Sequence, residues 1–400
     1  MKTSPPLSTM PPLPPAPMLP EELLEQIFIR FPPDEPELLV RASLASKLWL
    51  GLLTGPRFRG QYRELHGSPP MLGFFCRSTY DNNPAPRFVS TGKFSARFPQ
   101  DTDPRFYGYD VWDCRHGRVL LGNLRRGNNM GLAVWDPLTG RHKELDAPKD
   151  YDSLGAAVLC PVTGCDHKAC HDGPFQVVVV GLDTIDGGCV ACAQVFLPQV
   201  GEWSKRCSHL DVEGDVFIMP PVLIEDALYF MLLEVDDDDT DDGEDDDDDD
   251  DDDLTILKYE LGSNCLSLID PPLTEISTEG DDILMAMEDG RLGLARVNML
   301  TIYLWSRQMG SNGVESWSAC RVIDLHGSLS IQNPKKELRL IGSVEGSDII
   351  FVTTNLGIYK ISLKSLELKK IWKIANFYTL IPYMIFYDPL ERANPCDVAH

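Results

Sequence analysis

Four hundred residues, 43% of them apolar, can build one large domain and a small one, and no run of roughly 18 apolar residues is present to span a bilayer as a helix. The net charge of −25 is mostly local, because 236–253 hold fifteen aspartates and Glu244; without those 16 charges the balance is −9. So mild a residual acidity argues against nucleic acid or an anionic membrane as the main partner.

Residues 1–17 contain seven prolines and one charge, Lys2, and read as a disordered, polyproline-like leader with no apolar signal region. The segment 18–66 is helical in its periodicity. Pro20 suits a first helical turn, where its missing N–H costs nothing, and Glu21 and Glu22 favour the positive end of the helix dipole. Leu23, Leu24, Ile27, Phe28 and Phe31 follow at helical spacing until Pro32-Pro33 stops the run. A second segment carries Leu38, Leu39, Leu44, Leu48, Trp49 and Leu52 up to Gly55-Pro56, and a third, basic one carries Phe58, Tyr62 and Leu65. Three short helices cannot bury this much Leu, Phe and Trp among themselves, so a docking surface is expected.

From Met71 the pattern turns extended. Short β-branched and aromatic runs alternate with Gly, Pro, Asn and Asp. Tyr109–Leu121 reads as strand, turn, strand, and Gly131–Trp135 as a strand with Lys143-Glu144-Leu145 pairing back. Looser copies lie near Val195–Trp203, Ala227–Pro271, Ile283–Asp324 and Leu338–Ile374. About four strands per 40–60 residues is the requirement of a β-propeller, whose blades cannot bury both faces alone. The fold class expected is therefore mainly β with a small all-α N-terminal module, the helices being followed by a propeller of about six blades over 71–390. The run from Tyr383 is expected to pair with the first blade and seal the ring. The acidic stretch 235–253 repels itself and reads as a disordered loop between two strands of one blade.

The helical segment resembles an F-box, the motif that ties substrate receptors to cullin-based ubiquitin ligases. The resemblance rests on Leu19-Pro20, Leu23-Leu24, Ile27, Leu38-Leu39-Val40-Arg41, Ser43-Leu44-Ala45-Ser46-Lys47 and Trp49. Leu48 departs from the polar or basic residue usual there. Cys114-Arg115-His116-Gly117-Arg118-Val119-Leu120-Leu121 and Val134-Trp135-Asp136-Pro137 look like elements of plant F-box-associated propeller domains. The resemblance implies a substrate-receptor subunit of an SCF-type ligase that is not itself catalytic. Leu19, Pro20, Leu23, Leu24, Ile27, Leu39, Leu44 and Trp49 would meet the SCF adaptor protein, and through it a cullin, while the propeller holds an unknown target protein.

Chemistry-bearing patterns are sparse. Cys160-x4-Cys165-x-His167-x2-Cys170-His171 has the donors for tetrahedral zinc, but its spacing matches no common knuckle, and Cys170 and His171 would point apart on an extended chain. A polar loop between strands, with no metal, is the expectation. Cys189-x2-Cys192 lies in a Gly-rich strand and not before a helix, so two strand cysteines are expected and not a redox pair. No nucleophile-elbow, zincin, P-loop or dinucleotide-binding motif occurs. No cofactor is expected. The eleven cysteines read as free thiols, which together with the absence of any Asn-x-Ser/Thr sequence places the chain in the cytoplasm and/or nucleus. The rival reading is a propeller enzyme or small-ligand binder with its site in the central channel; a scaffold that binds the adaptor without delivering a target is the third.

Overall fold

In the computed structural model the described residues are 19–78, 87–123, 130–148, 151, 153–168, 170–185, 188–216, 219–233, 254–273, 281–310, 313–329, 338–373 and 377–386. The leader 1–17, the acidic run 235–253 and the last four residues of the expected 71–390 propeller lie outside them.

Four helices, not three, form the head: α1 Glu21–Phe28, α2 Pro36–Ala45, α3 Lys47–Thr54 and α4 Pro56–His66. The expected second segment divides at Ser46, which is extended at φ −159° and whose hydroxyl accepts the Trp49 N–H at 3.1 Å. A serine in that conformation caps the next helix instead of continuing the last one. Prolines at the start of α2 and α4 fit positions that need no N–H partner. The helices share a core of Leu24, Phe28, Leu39, Ala42, Leu53, Phe58 and Tyr62. That core is completed by Phe386, from just beyond the last strand of the β domain, which meets Tyr62 edge-on at 6.2 Å. Glu37 and Lys93 pair at 3.0 Å across the same junction.

The strands form six antiparallel sheets arranged as blades. Blade 1 joins the two ends of the domain: its innermost strand is Phe377–Met384, followed by Met71–Ser78 and Arg87–Ser90. The expected closure by the run around Tyr383 is thus observed, with Tyr383 opposite Gly73. Blades 2 to 6 begin at Asp110–Arg115, Ser153–Leu159, Asp215–Val216, Asp282–Ala286 and Arg339–Ser343. In blade 4 the chain leaves the sheet at Pro220-Pro221 and rejoins it at Val222–Ile224, because prolines cannot donate to the ladder. The innermost strands touch in order around the ring and return to Phe377–Met384.

Each of the six blade interfaces has its own buried apolar cluster. Both faces of a blade are therefore covered, so middle strands such as Arg118–Asn123 are buried along their whole length instead of alternating. The six tryptophans Trp112, Trp135, Trp203, Trp305, Trp317 and Trp372 all pack into these interfaces. The acidic run is flanked by paired strands of blade 4, with Leu233 opposite Leu254.

Candidate functional site

The head exposes apolar side chains along α1 and around Ser46, its apolar ledge, and also Leu65 of α4 at 58%. Leu19, Leu23, Ile27 and Leu44 are 51, 51, 46 and 80% exposed, and Leu48 and Pro20 are exposed beside them. Of the eight residues singled out in the sequence, Leu19, Pro20, Leu23, Ile27 and Leu44 are free to meet a partner. Leu24 and Leu39 are not, because they are 5 and 4% exposed inside the head's core. The reason is helical phase: Leu23 and Ile27 share one face by their i, i+4 spacing, and Leu24 and Phe28 share the next one round. Trp49 is half-buried, edge-on to Phe28 at 5.0 Å and packed against the head's core.

A second feature lies at one end of the propeller channel, a cavity of about 570 Å³ bordered by blades 1, 2, 4, 5 and 6, the 160–175 loop and residues 68–70 that leave α4. At its floor Arg115, from the inner strand of blade 2, pairs with Asp113 on its own strand and with Glu345 in the blade 6 turn. Arg115 also donates to the Pro221 carbonyl of blade 4. Asp113 accepts the Val158 N–H of blade 3 at 2.8 Å, and Glu345 accepts the Leu223 N–H of blade 4 at 3.0 Å. One guanidinium thus joins four blades. Burial pushes the Asp113 carboxyl up to about 6 against the pull of Arg115, while its two carboxylate partners hold Arg115 charged. Charged side chains do converge on the channel, but Asp113 and Glu345 are spent on Arg115. No sequence pattern signals this hub, because Arg115 and Glu345 are 230 residues apart.

Above the hub, His116 and Gly117 form a tight turn at φ +54° and +77°. A Cβ at Gly117 would fall 2.2 Å from Ile385 Cδ1, so a side chain there must displace that isoleucine as well as adopt a left-handed φ. The His116 ring stacks on His167 at 4.2 Å, and burial with that neighbour lowers its pKa to about 3.

The 160–175 loop departs from the sequence expectation in one respect. The donor atoms of Cys160, Cys165, His167 and Cys170 all lie within 4.8 Å of one another. His171 is outside that group, although it and Cys170 lie in a 3-10 turn, Cys170–Asp172, and not on the extended chain expected. The loop reverses twice, at Gly164 (φ +70°) and His167 (φ +58°), and backbone turns of that kind are not encoded in ligand spacing. Cys189 and Cys192 lie in the strand Gly188–Leu197, as expected.

No family model and no curated relative matches this chain. Solved structures similar to it share little sequence with it. One is Pyrococcus horikoshii acylaminoacyl peptidase, with 12% identity and a TM-score of 0.34 over 66% of this chain and 39% of that one. The chain therefore spans about two fifths of that protein's length. A subtype N10 neuraminidase-like protein of A/little yellow-shouldered bat/Guatemala/060/2010 shows 11% identity and a TM-score of 0.38 over 78% of this chain and 96% of that one. The Aleuria aurantia lectin AAL shows 13% identity and a TM-score of 0.31 over 69 and 79%. The class defined by the fold is a six-bladed β-propeller with an N-terminal helical head.

Proposed function

We propose that the chain is a substrate-receptor subunit of an SCF-type cullin–RING ubiquitin ligase. The head is an F-box that docks on the adaptor through Leu19, Pro20, Leu23, Ile27 and Leu44, and the propeller rim holds a target protein. The chain contributes proximity and not bond-making chemistry: tethering raises the effective concentration of the target's lysines near the charged conjugating enzyme. The observation carrying this reading is the exposure of Leu19, Leu23, Ile27 and Leu44 on a head whose own core is closed by Phe386 and which is tied to the propeller by the Glu37–Lys93 pair. Exposed leucines grouped on one small module mark a protein interface.

The test is co-purification of the full chain with the SCF adaptor protein. The wild-type chain is expected to form an equimolar complex on gel filtration, and Leu23→Asp/Ile27→Asp to lose it with an unchanged melting temperature. Failure of the wild-type chain to bind, or undiminished binding by the variant, overturns the assignment. The channel cavity favours one second reading, a small-ligand binder, since about 570 Å³ falls within the range of ligand pockets. That reading requires a ligand whose binding is lost in Lys360→Glu or His116→Ala, both lining the cavity, but kept in the ledge variant.

A further inference from the structure

We propose that Cys160, Cys165, His167 and Cys170 form a structural zinc site that holds the 160–175 loop against the channel mouth. Three thiols and one imidazole with mutual separations under 4.8 Å are the donor set and spacing of a closed tetrahedral zinc centre. Hard cations such as calcium would want oxygen donors instead. Cys160 directly follows the inner strand Ser153–Leu159, and Cys170 opens the short 3-10 turn Cys170–Asp172, so both outer ligands sit on anchored backbone. Between them a turn closes through the Cys165 N–H and the Val162 carbonyl at 3.2 Å. The Cys165 sulfur accepts the His167 N–H at 3.4 Å, the type of bond that supports a metal-bound thiolate by orienting it and sharing its charge.

The loop needs such a crosslink. Apart from Cys170 and His171, its described residues are exposed or half-buried, with Val162 nearly half exposed, so apolar burial does not order it. Yet it is tied to blade 2 at two points: His167 stacks on His116, and Arg118 donates to the carbonyls of Cys170, at 3.0 Å, and Gly173. A metal fixes the loop's internal shape, and those contacts then place His167, Lys168 and Cys170 as one wall of the cavity. This inference does not depend on what the head binds.

The experiment uses the full chain, expressed with zinc in the medium and purified under reducing conditions, and reads metal per chain by plasma mass spectrometry. About one zinc per chain is expected. Cys165→Ser and His167→Ala should lose it. His167→Cys, which puts a fourth thiolate in place of the imidazole, and Cys189→Ser, outside the cluster, should keep it. Because His167 is exposed, its two substitutions compare ligand chemistry without disturbing a core. A second readout is trypsin cleavage after Lys168, slow in the zinc-loaded chain and accelerated by chelator. Wild-type protein holding less than about a tenth of an equivalent, or a disulfide between any two of the three cysteines in the reduced preparation, overturns the proposal. So does zinc retained by both His167→Ala and Cys165→Ser.

Discussion

Replacing Arg115 by methionine tests whether the buried hub holds the ring together. The Arg115 and Asp113 side chains are 5 and 2% exposed, and the substitution leaves the Asp113 carboxylate with the Val158 N–H but no counter-charge. Breaking a buried pair by removing one partner costs about 3–5 kcal/mol, against about 0–1 kcal/mol for an exposed pair such as Arg105–Glu144. The loss of the bonds to Pro221 and Glu345 from the same guanidinium points to the upper part of that range. Urea unfolding at pH 7 reads the difference directly.

The pH dependence gives an independent check. Asp113 faces Arg115 and Glu345, and its folded pKa, about 6, lies above its ordinary 3.8. The folded state therefore keeps a proton that the unfolded state has released, so Asp113's contribution falls as pH rises from about 4 to about 6 and is level above that. Without Arg115 the carboxyl rises further, and the variant's deficit should shrink from pH 7 to pH 5. Asp113→Asn/Arg115→Met, which retains an acceptor for Val158 but no charge, should recover most of the loss. A single variant within about 1 kcal/mol of wild type at pH 7, or a deficit identical at pH 5 and 7, would refute the reasoning.

Three other outcomes follow from packing. Ser46→Ala removes the cap on α3 and should cost about 1 kcal/mol in thermal or urea unfolding. Gly122→Ala puts a Cβ about 2.1 Å from the Trp112 ring and should cost about 1–3 kcal/mol, measured the same way; a neutral result would mean that the tryptophan can move aside. Phe386→Ala should cost about 3–5 kcal/mol in head stability and expose the segment near Gly67 to limited proteolysis, whereas Leu44→Asp on the ledge should leave unfolding within about 0.5 kcal/mol.

The propeller could be read from the sequence because each blade repeats one local instruction, apolar strand then turn, and the closing run around Tyr383 could be read as well. The inner strand of blade 4 was missed, since Asp215–Val216 and Val222–Ile224 are too short and too broken by Pro220-Pro221 to show a period. On the head, adjacent leucines show that a helix is amphipathic but not which of the two faces inward. Leu24 belongs to the core that α2, α3, α4 and Phe386 complete, and Leu23 lies outside it. Arg115 with Glu345, and the four donors from Cys160 to Cys170, are products of ring closure and of two left-handed residues in a loop. The sequence shows the four donors as a Cys/His cluster but not their convergence, and it shows nothing of the Arg115–Glu345 pair.

The strand Phe377–Met384 is translated after every other strand of the ring, yet it occupies the innermost place in blade 1. Until it leaves the ribosome, Met71–Ser78 has a naked hydrogen-bonding edge and the core between blades 6 and 1 stands open to water. A nascent chain of this design is at its most vulnerable to aggregation just before synthesis passes residue 386, and pairing across so long a sequence separation is slow. Because Phe386 follows directly, a premature stop in that stretch would unfasten the helical head and the ring in a single event.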